Sequence, residues 1–280
     1  MSARIMDGKA LAQRIKVDIA ATIGKFEKSV GLGTILVGDD PGSVAYVEGK
    51  HRDCAEVGIK SIKVNLPATS TTSEVIAAVN ALNTDPSCTG FIVQLPLPVG
   101  VDTQKVLSAI NPAKDADGLT PNNLGNLVLG FNSVVACTPK AIVALLAEYK
   151  INLSGVKVLV IGRGMTVGRP LSILLSQKPI NATVTLAHSA SKNLTELIKE
   201  SDVVIAAMGS AQFIKAEMVK KGSVLVDVGI TREGNQLLGD FDPKVIEVAS
   251  AFAPMPGGVG PMTRVMLLKN VIELARNDAS

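Results

Sequence analysis

Short apolar runs that break at glycine or proline, each followed by a stretch with helical spacing, recur along this chain and limit its fold more than any other feature. Val158-Leu159-Val160-Ile161 runs into Gly162-Arg163-Gly164-Met165-Thr166-Val167-Gly168-Arg169-Pro170, after which Leu171, Ile173, Leu174 and Leu175 repeat as one face of a helix. Strand, tight turn and helix in that order present backbone N–H groups and a helix N-terminus to a phosphate. Glycines let the backbone approach such a group where a Cβ would intrude. The spacing is Gly-x-Gly-x-x-x-Gly, one residue longer than the usual dinucleotide fingerprint.

Strands are expected at 34–37, 61–66, 90–95, 156–161, 183–186, 203–206 and 223–227. Asp7 is expected to cap a helix carrying Leu11, Ile15, Ile19 and Ile23, closed by Gly31-Leu32-Gly33. Ser43 is expected to cap a helix reaching Val57, and further helices are expected at 73–82, 102–110, 138–149 and 264–275. The stretch 113–136 reads as loop-rich. Buried strands alternating with helices imply parallel sheets covered on both faces. The expected fold is therefore α/β, with two three-layer domains and a cleft between them. The first spans 1–138, the second is Rossmann-like over 139–263, and a C-terminal helix of about 264–280 packs back on the first.

Composition narrows the function. Hydrophobic residues make up 47%, yet no apolar run approaches the ~20 residues of a membrane span, and Met1 to Asp7 carries no secretory pattern. The three cysteines, Cys54, Cys88 and Cys137, are too widely spaced for a disulfide framework or a zinc site, so no metal and a cytoplasmic location are expected. A net charge of +3 from scattered lysines and arginines, with 3% aromatics and no tryptophan, is a poor match to a nucleic-acid surface.

An NAD site places an Asp or Glu at the end of its second strand to bind the ribose 2′-hydroxyl. Here the corresponding stretch, 185–192, has no acid and offers His188, Ser189 and Lys192, with Arg163 nearby in the glycine turn. That set suits a 2′-phosphate, so NADP is the expected cofactor. Two more glycine turns, Met208-Gly209-Ser210 and Val228-Gly229-Ile230, follow strands and belong to the same expected ligand edge. In the first half, Tyr46 and Lys50 are four apart and share one helix face. Gln94 ends a strand before Leu95-Pro96-Leu97-Pro98, where a ladder cannot continue. Asp115-Ala116-Asp117-Gly118 reads as a solvated turn or, weakly, as a cation site. Gly257-Gly258-Val259-Gly260-Pro261, flanked by Pro254 and Pro256, reads as a shaped loop before the last helix.

In order along almost the whole length, these segments resemble the bifunctional methylenetetrahydrofolate dehydrogenase/methenyltetrahydrofolate cyclohydrolase family. The matching pieces are Val37-Gly38-Asp39-Asp40-Pro41 leading to Tyr46-Val47-x-x-Lys50, Gln94 to Pro98, Lys114-Asp115-x-Asp117-Gly118 and Cys137-Thr138-Pro139. They continue through the Gly162 to Pro170 loop, Val226-Asp227-Val228-Gly229-Ile230, and Pro254-x-Pro256-Gly257-Gly258-Val259-Gly260-Pro261-Met262-Thr263. Gly164 and Met165 stand where the family commonly has Ser-Asn, Thr120 where a histidine is frequent, and Arg264 follows the final threonine. The resemblance implies NADP-dependent oxidation of 5,10-methylenetetrahydrofolate, then hydrolysis to 10-formyltetrahydrofolate, in a homodimer. It makes Lys50 the central catalytic group, Gln94 its hydrogen-bond partner, Tyr46 a contact to the folate's aromatic middle and Asp117 the pterin holder. Leu95, Pro254 and Gly258 join the implied substrate site. Gly162, Arg163, Gly164, Val167, His188, Ser189, Gly209, Ile230 and Thr263 form the implied cofactor site. The competing expectations are a dehydrogenase without hydrolase activity and a non-catalytic NADP(H)-sensing regulator.

Overall fold

A computed structural model of the chain describes residues 2–234 and 236–277. In order, the elements are β1 (Arg4–Ile5), α1 (Gly8–Ile23), β2 (Gly31–Val37), α2 (Pro41–Val57), β3 (Lys60–Leu66), α3 (Thr72–Thr84), β4 (Gly90–Val93), α4 (Thr103–Ala109), α5 (Pro121–Leu129) and α6 (Cys137–Glu148). They continue with β5 (Lys157–Ile161), α7 (Gly168–Ser176), β6 (Thr183–Ala187), α8 (Leu194–Glu200), β7 (Val203–Ala206), β8 (Val224–Asp227), β9 (Thr231–Glu233), β10 (Gln236–Leu238), β11 (Ala251–Ala253) and α9 (Val259–Asn277). The expected α/β class with two domains holds. The described residues divide into one unit of 13–137 with 264–277 and another of 138–263 with 2–12.

The first unit is built on a parallel sheet in the order β3-β2-β4. Its central strand β2 is buried along its whole length. Gly31 and Gly33, expected to close α1, instead lie inside β2. A Cβ on Gly33 would stand 2.7 Å from the Phe91 Cβ and 3.1 Å from the Cys88 sulfur, and one on Gly31 would meet the Ser87 carbonyl. Close approach to β4 and the residues before it, rather than helix termination, is what requires glycine there.

Helix α2 is capped one turn earlier than expected. Asp40, not Ser43, is the N-cap: its carboxylate accepts from the Ser43 N–H at 2.8 Å, Pro41 opens the helix, and Gly58 ends it in the left-handed conformation. Residues 113–136, expected to be loop-rich, contain α5, which was not foreseen. Thr120 caps it by accepting from the Asn123 N–H, Pro121 is its first residue, and Gly130 terminates it at φ 72°. In α9, the Asn270 side chain donates to the carbonyls of Ala116 (2.9 Å) and Val135 (3.0 Å), tying this helix to two loops of the same unit.

The second unit is a six-stranded parallel sheet in the order β1-β11-β8-β7-β5-β6, the expected Rossmann-like arrangement. Leu159, Ile161, Val204, Leu225, Phe241 and Phe252 fill its core, the two phenylalanine rings meeting edge to face at 5.8 Å. β5 has β6 on one side and β7 on the other, so the order reverses there, and the crevice outside the strand ends at such a reversal takes ligands. Residues 2–12 depart from the expected 1–138 domain and belong to this second unit. β1 pairs with β11 in the register Arg4↔Ala251, and Asp7 caps α1 through the Ala10 N–H while its own N–H donates to the Tyr149 hydroxyl. The β9–β10 hairpin and β11 were also not foreseen. Among the described residues, no helix is long and apolar enough to cross a membrane.

Replacing Gly33 with alanine forces a methyl group against Phe91 and should destabilise the protein by about 1–3 kcal/mol. The check is a lower urea midpoint at unchanged slope.

Candidate active site

Lys50 sits on the third turn of α2, and only 6% of it is exposed. Its Nζ donates to the Gln94 Oε1 at 2.9 Å and lies 4.8 Å from the centre of the Tyr46 ring, one helical turn back. Gln94 is fixed in turn because its Nε2 donates to the Leu95 carbonyl at 2.7 Å, leaving the amide oxygen for the lysine. β4 carries this glutamine to the carboxyl end of the sheet, where the Gln94 N–H still bonds the Ile35 carbonyl. The structure therefore brings Tyr46, Lys50 and Gln94 together.

Burial is the largest influence on Lys50 and lowers its pKa by disfavouring the ammonium form. The charges of Asp117, Cys137 and Cys54 push it back up, and Arg264 adds to the lowering. For Asp117, burial raises the carboxyl pKa and the nearby Lys50 opposes that rise. The pair thus share one poorly solvated environment in which each stabilises the charge of the other.

The Lys114-Asp115-Ala116-Asp117-Gly118 segment is not a solvated turn. Lys114 donates to the carbonyls of Leu82 and Asp85. The buried Asp115 accepts from the Gly118 N–H and the Thr120 N–H, each at 2.8 Å, and from the Asn123 side chain at 2.9 Å. Gly118 has φ +70°, and a Cβ there would lie 2.8 Å from backbone atoms of residues 134–136. Lys114, Asp115 and Gly118 thus shape the loop that carries Asp117. Thr120, noted as a departure from the family pattern, is the N-cap of α5.

Arg264, another departure, has a structural complement. Its Nε lies 3.0 Å from Asp53 Oδ2, and Lys16 reaches the other oxygen of the same carboxylate at 2.6 Å. Gly49 makes room for it, since a Cβ there would strike the Arg264 guanidinium. No sequence signal linked Arg264 to Asp53, Lys16 and Gly49.

In the second unit, a cavity of about 590 Å³ opens at the strand ends beside the order reversal. Its wall includes Gly162, Arg163, Gly164, His188 and Ser189, all expected at the cofactor site. Three glycines of the loop have three different roles. Gly162 has φ +119° and no room for a Cβ beneath the Ala207 carbonyl; Gly168, first in α7, abuts the Gly162 carbonyl; Gly164 faces open space. This is the tight turn, close helix packing and ligand approach of a dinucleotide loop. The His188 Nδ1 accepts from the Ala190 N–H, and the His188 N–H donates to the Ser191 hydroxyl, so the turn after β6 is closed on itself.

Val167, Gly209, Ile230 and Thr263 do not line this cavity. Ile230 is 53% exposed, and the Thr263 hydroxyl bonds Thr138 and the Val259 carbonyl. Gly258 is packed against Pro254, whose carbonyl accepts its N–H at 2.8 Å, and against Gly8. Pro254 and Gly258 belong to the second unit, whereas Leu95 and the lysine group belong to the first. Sequence reasoning missed Ser191, Leu194 and Phe213 in the cavity wall. Ser191 was readable from its place after β6, but Phe213 had no local signal.

A parallel sheet with a strand-order reversal and a glycine-turn cavity walled by Arg163 fits the nucleotide-binding class of α/β proteins. Comparison with known families makes this particular. The catalytic-domain model of tetrahydrofolate dehydrogenase/cyclohydrolase matches residues 6–117, and the NAD(P)-binding-domain model of the same family matches residues 136–279. A bifunctional methylenetetrahydrofolate dehydrogenase/cyclohydrolase from Campylobacter jejuni is 38% identical, with 99% of this chain and 100% of that chain covered at a TM-score of 0.94. The Trypanosoma brucei enzyme, solved with NADP and an inhibitor, is 34% identical over 100% of this chain and 99% of its own, at a TM-score of 0.95. The fold extends to an NAD-dependent methylenetetrahydrofolate dehydrogenase from Saccharomyces cerevisiae at 24% identity, 100% and 99% coverage and a TM-score of 0.84. The chain belongs to the tetrahydrofolate dehydrogenase/cyclohydrolase family, as its motifs implied. It is thus an NAD(P)-binding enzyme of one-carbon folate chemistry.

Asp115→Asn leaves one backbone N–H of the 118–120 turn facing a donor and should lower stability by about 1–3 kcal/mol. Thermal unfolding of the variant against wild type reads the loss.

Proposed function

We propose that this chain oxidises 5,10-methylenetetrahydrofolate with NADP⁺ and then hydrolyses the methenyl product, with Lys50 as the central catalytic group of the second step. The observation that carries the reading is the buried Lys50 amine held on a neutral acceptor, Gln94. Free lysine, with a pKa of ~10.4, is almost wholly protonated at neutral pH and is a poor base. A carboxylate in place of Gln94 would fix the positive charge; the amide oxygen accepts a hydrogen bond from either protonation state.

In the oxidation, hydride leaves the carbon bridging N5 and N10 and its electron pair passes to C4 of the nicotinamide. The resulting cation is delocalised over both nitrogens, so orientation is most of what the protein must supply. In the hydrolysis, water adds to that carbon and one of its protons passes to Lys50. The C–N5 bond then breaks, N5 takes a proton, and the carbon remains on N10 as a formyl group with net release of one proton. Tyr46 offers its ring to the folate's aromatic middle, Asp117 holds the pterin, and Leu95, Pro254 and Gly258 complete the proposed substrate contacts.

NADP is favoured over NAD because the cavity wall has Arg163, His188 and three serines and no carboxylate side chain, which suits a 2′-phosphate. Val167, Gly209, Ile230 and Thr263 are proposed as further cofactor contacts by resemblance. The relative solved with NADP supports the same choice. The family resemblance supports a homodimer, and three buried free cysteines suit a reducing compartment such as the cytoplasm. A regulator that only sensed NADP(H) would have no use for the Lys50–Gln94 pair, and a dehydrogenase without hydrolase activity would not need Lys50 tuned as a base.

The test is a spectrophotometric assay with methylenetetrahydrofolate and either NADP⁺ or NAD⁺, paired with methenyltetrahydrofolate hydrolysis, on wild type and Lys50→Met. Wild type should turn over faster with NADP⁺. Its hydrolysis rate should rise with pH as Lys50 loses its proton, on a limb centred below the ordinary lysine value. Lys50→Met should lose hydrolysis while still binding NADPH. Undiminished formyl production by the variant would refute the role given to Lys50.

A further inference from the structure

Two carboxylates in the second unit take no part in the chemistry above. Asp227 ends β8, Asp240 follows the β9–β10 hairpin, and both are buried, with 1% and 0% of their surface exposed. Their hydrogen-bond partners are backbone amides. The Asp240 oxygens accept from the Met208 N–H and the Ser210 N–H, each at 2.7 Å. The Asp227 oxygens accept from the Asp240 N–H at 2.9 Å and the Phe241 N–H at 3.2 Å. Burying a carboxylate is costly unless such bonds are complete, so two in succession require a reason. The neighbouring backbone is also cleared for them: a Cβ on Gly229 would fall on the Asp240 carboxylate, and one on Gly239 on that of Asp227.

Met208 and Ser210 both line the cavity, and Gly209 between them has φ +67°. A glycine turn of this kind has several accessible conformations unless its flanking amides are anchored. Here one carboxylate grips the amide on each side of Gly209.

We propose that Asp227 and Asp240 are positioning residues for cofactor binding, acting in series: Asp240 clamps the 208–210 turn that walls the cavity, and Asp227 fixes Asp240. The turn is then ordered before the ligand arrives, and its ordering no longer weakens binding. This deepens the reading of the cavity as the nicotinamide-nucleotide site and rests on it.

Asp240→Asn and Asp227→Asn keep side-chain volume but turn one acceptor into a donor that faces another donor. Each should raise the KM and Kd for NADP(H) by about tenfold. Hydrolysis of methenyltetrahydrofolate, which uses no nicotinamide, should stay within about twofold of wild type. Because the two residues act along one path, the double variant should bind NADPH within about twofold of the weaker single variant. Unchanged NADPH affinity in both single variants, additive losses in the double variant, or an equal fall in hydrolysis would each overturn the clamp. Wild-type protein that binds neither NADPH nor NADH would overturn the cavity assignment and the clamp with it. If a variant fails to fold, amide exchange on wild type still decides. The clamp requires the Met208 and Ser210 amides to exchange as slowly as those of β7 with no cofactor added, and loop-like exchange contradicts it.

Discussion

An amine removed from water and given a neutral partner is the constraint around which the first unit is arranged. Lys50 would ionise freely at the surface of α2; buried against Tyr46 and hydrogen-bonded to Gln94, its charged form loses solvation that an amide oxygen only partly replaces. The surrounding charges keep that shift within limits. Asp117 favours the ammonium form, while Arg264, itself tied to Asp53 and so to Lys16, disfavours it. Gly49 is part of the same arrangement because it admits the Arg264 guanidinium beside the helix. The position that departs from the family pattern is therefore compensated by local packing rather than left as an isolated charge.

The second unit solves a different problem, the reception of phosphate and nucleotide by backbone. Gly162 and Gly168 are dictated by carbonyl contacts within the protein, whereas Gly164 has open space in front of it. A Cβ at 164 would meet open space rather than protein, so close packing does not require glycine there as it does at 162 and 168. The carboxylates behind the opposite wall bond inward, to amides, and leave Arg163 and His188 as the cavity's charged or chargeable side chains.

Much of this was legible in the sequence because it rests on local pattern. Apolar runs located the strands from β2 to β8, and the four-residue spacing of Tyr46 and Lys50 with a strand-ending Gln94 pointed to three side chains that the fold brings together. Readings failed where a distant contact decided the outcome. Gly31 and Gly33 have the sequence appearance of a helix stop and the structural reason of strand contact with the residues at 87–91. Two-residue β1 has too little apolar pattern to announce its pairing with β11, so the grouping of 2–12 with the second unit had no sequence signal. Asp115 looked like a surface acid because its three donors lie three to eight residues further on, in a loop and helix that the polar composition of 113–136 concealed. The grip of Asp240 on a turn 30 residues earlier had no local signature at all.

The claim on which the account stands is that the Lys50 side chain gives up its proton more readily than an ordinary lysine. Selective ¹³C labelling of the lysine ε-carbons, with Lys50 assigned by its loss in the Lys50→Arg variant, allows that one resonance to be followed through a pH titration. The account predicts a midpoint clearly below the ~10.4 of free lysine, shifting further down when Asp117 is replaced by asparagine. A midpoint at or above the free-lysine value, unmoved by that replacement, would contradict it.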